Sequence, residues 1–312
     1  MRKLQLIPSG TTVPFVDRRV LYFVLSALLV ISSIGLFLVK GLNYGIDFKG
    51  GIIIEVRTST AADIGSMRSK LSNLGLGEVA LQEFGEPTDV LVRVQRQEGG
   101  DAAQQKAVEA VKAALGTSVE YRRTEFVGPK VSEELFWDGV SAVAAAIFAI
   151  LIYIWFRFEW QFGMGAVIAL THDVLTTIGL FSLLGLEFNL STVAAILTIA
   201  GYSINDTVVV YDRVRENLRK FKTMPLTQLL NLSLNETLSR TVMTSLTTLL
   251  ALMALYFLGG EVIRGFSFAM IWGVLIGTYS SICLAVPMLI YLKIQRRTAS
   301  GKVEEAPAGE TP

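Results

Sequence analysis

Six long apolar segments, separated by polar residues, dominate the pattern along the chain. They cover residues 20–39, 137–156, 162–184, 190–211, 240–258 and 265–292. A helix needs about 20 mainly apolar residues to cross a bilayer. The pattern therefore predicts a polytopic α-helical membrane protein with six transmembrane helices. The first segment is too long for a signal peptide and lacks a cleavage site after it, so we expect it to remain as a span.

Between the first two spans, residues 40–132 change to a pattern of short strands and helices. Alternating or β-branched stretches predict strands at 51–58, 78–84, 89–95 and 118–127. Helical spacing that ends in glycine predicts helices at 61–75 and 101–116. The sequence GEPT, 85–88, is typical of a hairpin turn. The order β-α-β-β-α-β predicts one external α+β domain of the ferredoxin-like type.

The lysine and arginine residues near the span ends predict the orientation, because cytoplasmic segments carry an excess of them. They cluster at the N-terminus, in an expected loop after the fourth span, and after the sixth span: Arg2, Lys3, Arg18, Arg19; Arg213, Arg215, Arg219, Lys220, Lys222; Lys293, Arg296, Arg297. We therefore expect cytoplasmic termini, with 1–19 as the N-terminal segment and 293–312 as a disordered tail. The domain 40–132 is then periplasmic.

Composition excludes several classes of protein. The chain is 52% hydrophobic and 18% charged, too apolar for an ordinary soluble domain. Its net charge of +1 gives no indication of nucleic-acid binding. The single cysteine, Cys283, permits neither an internal disulfide nor a cysteine metal site. We expect no cofactor.

Ionisable residues inside the apolar segments are the first candidates for function, because charge in hydrocarbon is costly. Asp206 lies in GYSINDTVVVYDRVREN, 201–217, before the fourth apolar segment has ended. Helical spacing places the hydroxyl residues Tyr202 and Ser203 on the same face, and Asn205 is the adjacent residue in the sequence. The simpler alternative is a helix-end aspartate paired with Arg213, but three valines, 208–210, separate the two.

Arg240 opens the fifth span, at a depth similar to that of Asp206, because the fourth span descends to the cytoplasm and the fifth leaves it. A polar stripe at helical spacing accompanies it: Glu236, Thr244 and Thr247. An encounter between Asp206 and Arg240 is therefore geometrically feasible. The alternative is an interfacial arginine whose guanidinium extends to the lipid headgroups.

His172 and Asp173 lie near the middle of the third span. They are either buried polar groups satisfied by neighbouring threonines or further members of a proton path. A third interpretation covers all the intramembrane polar residues: they hold the six helices together.

The motif GIDFKGG, 45–51, precedes the external domain. Three glycines in seven residues indicate tight turns or close backbone approach. A plain linker between span and domain is the alternative.

Taken together, the chain resembles the SecF family, the smaller subunits of the SecD–SecF pair that assists bacterial protein export. The resemblance covers nearly the whole chain. Its signature G-[IL]-D-F-x-G-G is matched by Gly45, Asp47, Phe48, Gly50 and Gly51. The segments 201–217 and LNETLSRTVMTSLTTL, 234–249, are similar to the family's two membrane motifs.

The resemblance implies a fold and a set of partners. The six spans would form half of a pseudo-symmetric bundle of the RND transporter type, and SecD would supply the other half. The complex would work in the bacterial inner membrane with the SecYEG channel and YajC. It would use the proton gradient to assist the export of unfolded polypeptides. Asp206 and Arg240 would belong to the proton path, completed by an aspartate of SecD. His172 and Asp173 are further candidates for this path because of their position in the third span, and not because of the resemblance.

Three other functions are considered. The chain could be half of an RND-type exporter for lipids or small molecules, or a membrane scaffold without proton coupling. An intramembrane protease using Ser203 or Ser191 with His172 would need a motif such as G-x-S-x-G, which GYSIND does not provide. The expected role is therefore transport and not enzymatic catalysis.

Overall fold

The computed structural model describes residue 8 and residues 11–77, 79–292, 294–297 and 303–305. A 3-10 turn, Val16–Arg18, leads into the first long helix, α1, Arg19–Lys40. The two-residue strand β1, Asn43–Tyr44, and the one-turn helix α2, Ile46–Lys49, follow. The external domain then contains, in order, β2 Gly51–Thr58, α3 Ile64–Ser72, β3 Val79–Phe84, β4 Glu86–Val94, α4 Asp101–Leu115, a 3-10 turn Gly116–Ser118 and β5 Val119–Val127.

The four strands of the external domain form one antiparallel sheet in the order β3-β4-β2-β5. Because side chains alternate between the faces of a strand, Ile52, Ile54 and Val56 of β2 all point to the face covered by α3 and α4, where they are buried. This arrangement is consistent with the predicted βαββαβ order. The hairpin turn is shorter than the expected 85–88, since β4 already begins at Glu86.

The membrane part continues with five more elements. They are α5 Pro129–Arg157, α6 Trp160–Leu184, β6 Glu187–Phe188, α7 Leu190–Lys220 and α8 Leu226–Leu258. The sixth span is built from α9 Glu261–Ser280, a π-helical turn Ser281–Ala285 and α10 Val286–Tyr291. Among the described residues, six helices are thus long and apolar enough to cross a membrane, which is the predicted number.

Two of these helices reach far beyond the apolar segments that identified them. The fourth span was expected to end at 211, but α7 stays helical to Lys220; the fifth was expected from 240, but α8 starts at Leu226. Hydropathy identifies only the part of a helix that lies in the hydrocarbon of the bilayer. The helix itself can continue into polar sequence on either side. The prediction of a basic loop after the fourth span is therefore wrong for Arg213, Arg215, Arg219 and Lys220, which lie on α7 itself.

The predicted terminal segments are only partly described. In the expected tail 293–312, strands β7, Gln295–Arg297, and β8, Val303–Glu305, pair in antiparallel fashion. Residues 298–302 and 306–312, and most of the first ten residues, lie outside the described part of the chain.

Close contacts through glycine hold the bundle together. Gly273 of α9 lies against Ile199 of α7, and Gly179 of α6 lies against Ser33 of α1, where a Cβ atom would overlap with these neighbours. Such small residues let helices approach in a bilayer, where the hydrophobic effect does not drive association. On the periphery, α1 and α5 expose apolar side chains such as Leu38 and Phe156, as lipid-facing helices do.

An ion pair ties the two central strands of the external sheet together. Arg57 of β2 donates to both carboxylate oxygens of Asp89 on β4, each over 2.5 Å. The two residues are directly opposite in the antiparallel register. The bond from Arg57 lowers the pKa of Asp89, and burial opposes it only in part.

This ion pair predicts a pH dependence of the external domain. The folded-state pKa of Asp89 lies below the ordinary carboxyl value of about 3.9, so its contribution to stability is complete above that value. It is lost as the pH falls through the folded-state pKa. We expect Asp89→Asn to reduce amide exchange protection in β2 and β4 of the full-length protein at pH 7.

The difference between the wild type and Asp89→Asn should shrink towards zero in acid, after correction for intrinsic exchange rates. Glu109→Gln, at an exposed site on α4, serves as the control and should match the wild type. A difference that stays constant down to the lowest pH would contradict the assignment.

Candidate functional site

Asp206 of α7 is buried in the bundle, with 8% of its surface exposed. Its carboxylate accepts two hydroxyl hydrogen bonds from other helices. Oδ1 accepts from Thr241 of α8 over 2.8 Å, and Oδ2 accepts from Ser281 of the π-helical turn over 2.6 Å. A buried carboxylate requires such partners, so this one group brings α7, α8 and the sixth span to a single point.

A second buried carboxylate, Asp173 of α6, is fully enclosed. Its Oδ2 accepts from Ser203 of α7 over 2.6 Å and from Ser280 of α9 over 2.7 Å. Its Oδ1 lies 3.0 Å from Nδ1 of His172. The other ring nitrogen of His172, Nε2, has no hydrogen-bond partner among the described residues.

The two carboxylates are connected through neighbouring hydroxyls. Ser280 and Ser281 are consecutive in the sequence, yet one binds Asp173 and the other Asp206. Successive residues of a helix point about 100° apart, so the pair can contact two helices at once. Ser281 is also the first residue of the π-helical turn, a kind of irregularity that is frequent at functional sites.

The guanidinium charge of Arg240 acts on the Asp206 carboxylate through space, without direct contact between the two groups. The Arg240 side chain is exposed on α8, and within the described residues no ion pair joins the two. The next residue, Thr241, binds the carboxylate instead. Similar depth made the encounter feasible, but depth does not fix the direction in which a side chain points.

The other predicted polar residues have separate partners. Thr244 and Thr247 donate to carbonyls of their own helix, so they do not line the carboxylate. Tyr202 lies 3.3 Å from the Ser245 hydroxyl, and Asn205 is exposed. The alternative pairing of Asp206 with Arg213 is not formed either, because Arg213 pairs with the acidic side chains of α7 and α8, Glu216 and Glu236.

The motif 45–51 forms a second cluster, at the other end of α7. We call it the docking contact and define it as residues 43–51 of the linker, Arg93 of the external sheet, and residues 185–190, which lead into the first residue of α7. Strand β1 pairs in parallel with β6, and the amide of Gly45 donates to the Phe188 carbonyl over 2.9 Å. Oδ2 of Asp47 accepts from the amide of Leu190, the first residue of α7, over 2.9 Å.

Glycine is favoured at several positions of this contact. A Cβ atom on Gly45 would lie 2.7 Å from Oε1 of Glu187. Gly50 and Gly51 have φ angles of 71° and 129°, which residues with a Cβ atom rarely adopt. Phe48 packs against the rings of Phe136 and Phe188. The motif is therefore a packed junction and not a plain linker.

The ion pair between Arg93 of β4 and Glu187 closes the docking contact. Burial raises the pKa of Glu187; Arg93 opposes this rise and the nearby Asp47 adds to it. Sequence patterns did not single out either residue, since both look like ordinary solvated charges. Thr241, Ser280 and Ser281 were missed for a related reason, because hydroxyl residues are common throughout membrane helices.

A serine substitution tests the geometry around Asp206. Ser281→Ala removes one of the two hydroxyl donors and leaves a buried carboxylate oxygen unpaired, which costs about 1–3 kcal/mol. We expect a lower thermal unfolding temperature of the detergent-solubilised protein. The matched control is Ser267→Ala on the same span, because Ser267 is fully buried and its hydroxyl has no partner among the described residues. Equal effects of the two substitutions would refute the assignment.

Comparisons with known proteins agree on one family. A family model described as protein export membrane protein SecD/SecF, C-terminal, matches residues 107–295. A model for the SecD/SecF GG motif matches residues 35–62, which include the motif of the docking contact.

Two curated relatives are similar over almost their whole length. Protein translocase subunit SecF of Rhodobacter capsulatus is 50% identical, with 94% of this chain and 93% of the relative covered. Protein translocase subunit SecF of Rickettsia akari is 46% identical, with 92% and 94% covered.

Solved structures give the same picture. The crystal structure of SecDF, a translocon-associated membrane protein from Thermus thermophilus, matches with a TM-score of 0.81 and 38% identity over 90% of this chain. A structure of SecDF in a super-membrane-facing form matches with a TM-score of 0.68 and 37% identity over 91% of this chain. In both cases the chain spans 39% of the SecDF chain, about two fifths of its length.

Proposed function

The chain belongs to the SecF family of protein translocase subunits, and from this premise we propose that it works with SecD to assist late steps of protein export through the SecYEG channel, driven by the proton motive force. The observation that supports proton coupling is the buried Asp206 carboxylate, held by hydroxyls of two other helices. Serine or asparagine would connect helices at lower cost. Unlike serine and asparagine, a carboxylate can bind and release a proton, which explains its use at this position despite the cost.

SecD is proposed to cover the outer face of α7 and α8. In a bilayer, an exposed cation at the level of Arg240 is costly unless it faces protein or water. The same face exposes further polar residues: Thr198, Asn205, Thr244 and Thr247. This chain spans 39% of the matched SecDF chain, so a partner that corresponds to the rest of that chain is available to cover this face. An aspartate of SecD would then lie opposite Arg240.

The proposed cycle follows from the donors around Asp206. The ionised carboxylate only accepts, from Thr241 and Ser281, whereas the protonated acid also donates. Protonation therefore forces one hydroxyl to turn, which changes how α8 or the sixth span is held. Arg240 would approach when the carboxylate is ionised and withdraw when it is neutral. Asp206 thus biases two packings of the bundle.

The available energy fits this change. Moving one charge through a membrane potential of 100 mV supplies about 2.3 kcal/mol. A hydrogen bond to a charged group contributes about 1.5–3 kcal/mol. One proton can therefore switch about one such bond, which matches the arrangement at Asp206.

His172 and Asp173 are proposed as a second proton-bearing group of the same path. The support is their position: Ser203 and Ser280 bind Asp173, and each lies within one helical turn of Asp206 or its donor Ser281. Nε2 of His172, which has no hydrogen-bond partner in the described part of the chain, offers a further site for a proton.

For the location, we propose the bacterial inner membrane, cytoplasmic termini and a periplasmic domain 40–132. The basic residues at the end of α7 support this orientation. YajC and unfolded exported polypeptides are proposed as further partners, together with the surrounding lipid bilayer.

The competing functions make different demands. The role is transport and not catalysis. A serine protease is disfavoured because neither candidate nucleophile donates to a histidine: Ser203 donates to Asp173, and Ser191 donates to Asn189. An exporter half for lipids or small molecules would move such substrates without the Sec channel. A scaffold would need no titratable group at 206.

Asp206→Asn tests proton coupling directly. Asparagine keeps a similar shape but exchanges no proton, so proton-dependent stimulation of export should be lost in membrane vesicles that contain SecD and SecYEG. The matched control is Asp212→Asn on the same helix, whose carboxylate is half-exposed and pairs with Arg157; it should retain stimulation. Full stimulation with Asp206→Asn at normal protein levels would support the scaffold instead.

Arg240→Lys tests how the cation acts. Lysine keeps the charge but not the planar guanidinium, which binds a carboxylate through two parallel bonds. We expect partial loss of proton-dependent export with Arg240→Lys and complete loss with Arg240→Gln. The same activity with both variants as with the wild type would exclude a role for the cation.

A further inference from the structure

The two ends of α7 lie in different environments. Towards the proposed cytoplasmic end it holds Asp206, while its first residue, Leu190, is bound by Asp47 of the linker. α7 has no direct chain connection to the external domain, which is joined by the chain to α1 and α5. A movement of α7 can therefore reach that domain only through neighbouring elements or non-covalent contacts.

The docking contact supplies such an interaction from three sides. Asn189 caps α7 by accepting from the amide of Thr192 over 3.1 Å, and Asp47 adds a negative charge at the positive end of the helix. The backbone of residues 187 and 188 pairs with the linker. Arg93 of the external sheet binds Glu187. The start of α7 is thereby fixed to both the linker and the sheet.

The ion pair is well placed to transmit force. Both side chains are about three-quarters buried, with 23% and 24% of their surface exposed. Arg93 points to the sheet face opposite the helices, since Val92 and Val94 point into the core between sheet and helices. Beside the pair, an open cavity of about 230 Å³ separates the sheet from the bundle, lined by Ile53, Glu55, Leu91, Asn189 and Ser191, among others. The sheet is therefore not packed tightly against the bundle there, and the ion pair bridges the gap.

From this geometry we propose that the docking contact couples α7 to the external domain, with Arg93 and Glu187 as positioning residues that transmit a shift of the Asp206 helix to the sheet. The proposal rests on the proposed proton-driven function. This proposal gives the motif 45–51 a role in coupling, which the proton path alone does not provide. The glycines allow the linker to approach the start of α7 closely, and Asp47 accepts a hydrogen bond from the first amide of that helix.

Charge substitutions test this coupling in vesicles that contain SecD, SecYEG and the full chain. Arg93→Gln and Glu187→Gln should each lower proton-dependent export about fivefold or more, the usual lower range of coupling between two sites. The double reversal Arg93→Glu with Glu187→Arg should restore part of it. The matched control is Arg57→Gln, which breaks an ion pair of the same sheet that lies wholly within the domain, and it should leave export near the wild-type level.

A second measurement separates coupling from folding. A spin-label pair, one at the exposed Glu109 of α4 and one at the exposed Val131 near the start of α5, reports the position of the external domain with and without a proton gradient. Arg93→Gln should abolish the gradient-dependent change in distance, while the carboxyl infrared signal assigned by Asp206→Asn persists. If Arg93→Gln does not accumulate, the double reversal decides: no recovery of protein level or export would overturn the proposal.

The outcomes also distinguish this proposal from the proposed function. If Asp206→Asn abolishes proton-dependent export but Arg93→Gln behaves like Arg57→Gln, the coupling through the docking contact is wrong and the proton path stands. If Asp206→Asn has no effect, the proton path itself is wrong.

Discussion

Asp173 and Asp206 must each find hydrogen-bond donors inside the bundle, because an unpaired carboxylate is costly away from water. The donors come from other helices: Ser203 and Ser280 for one, Thr241 and Ser281 for the other. This requirement fixes the rotation of α7, α8 and α9 about their axes. Apolar packing alone would leave these rotations less strictly defined, since lipid tails solvate apolar side chains as well as protein does.

The docking contact imposes a comparable constraint at the other end of α7. There the linker, the external sheet and the start of the helix meet through backbone pairing, the Asp47 bond to Leu190 and the ion pair of Arg93 with Glu187. The helix that bears Asp206 is therefore defined at two points along its length. A bundle and a domain that differ in composition and environment are thereby joined as one structure.

The sequence allowed the prediction of whatever depends on local pattern. Hydropathy gave the six spans, alternation gave the strand and helix order of the external domain, and a carboxylate within an apolar segment identified Asp206. What depends on three-dimensional direction was missed. Similar depth suggested that Arg240 pairs with the Asp206 carboxylate. Instead, the Arg240 side chain is exposed, and the hydroxyl of Thr241 donates to the carboxylate. Arg93 and Glu187 are 94 residues apart, and neither has a local signature.

The adjacency of Ser280 and Ser281 has a consequence for how this family can vary in length. Each residue added to or removed from α9 ahead of this pair turns both hydroxyls by about 100° and shifts them by about 1.5 Å along the axis. Both carboxylates would then lose a partner at once. Apolar side chains of α9 can be exchanged for one another at small cost, whereas an insertion or deletion between Gly260 and Ser280 cannot be absorbed within the helix. The number of residues in α9 is thus more restricted than the identity of its apolar side chains.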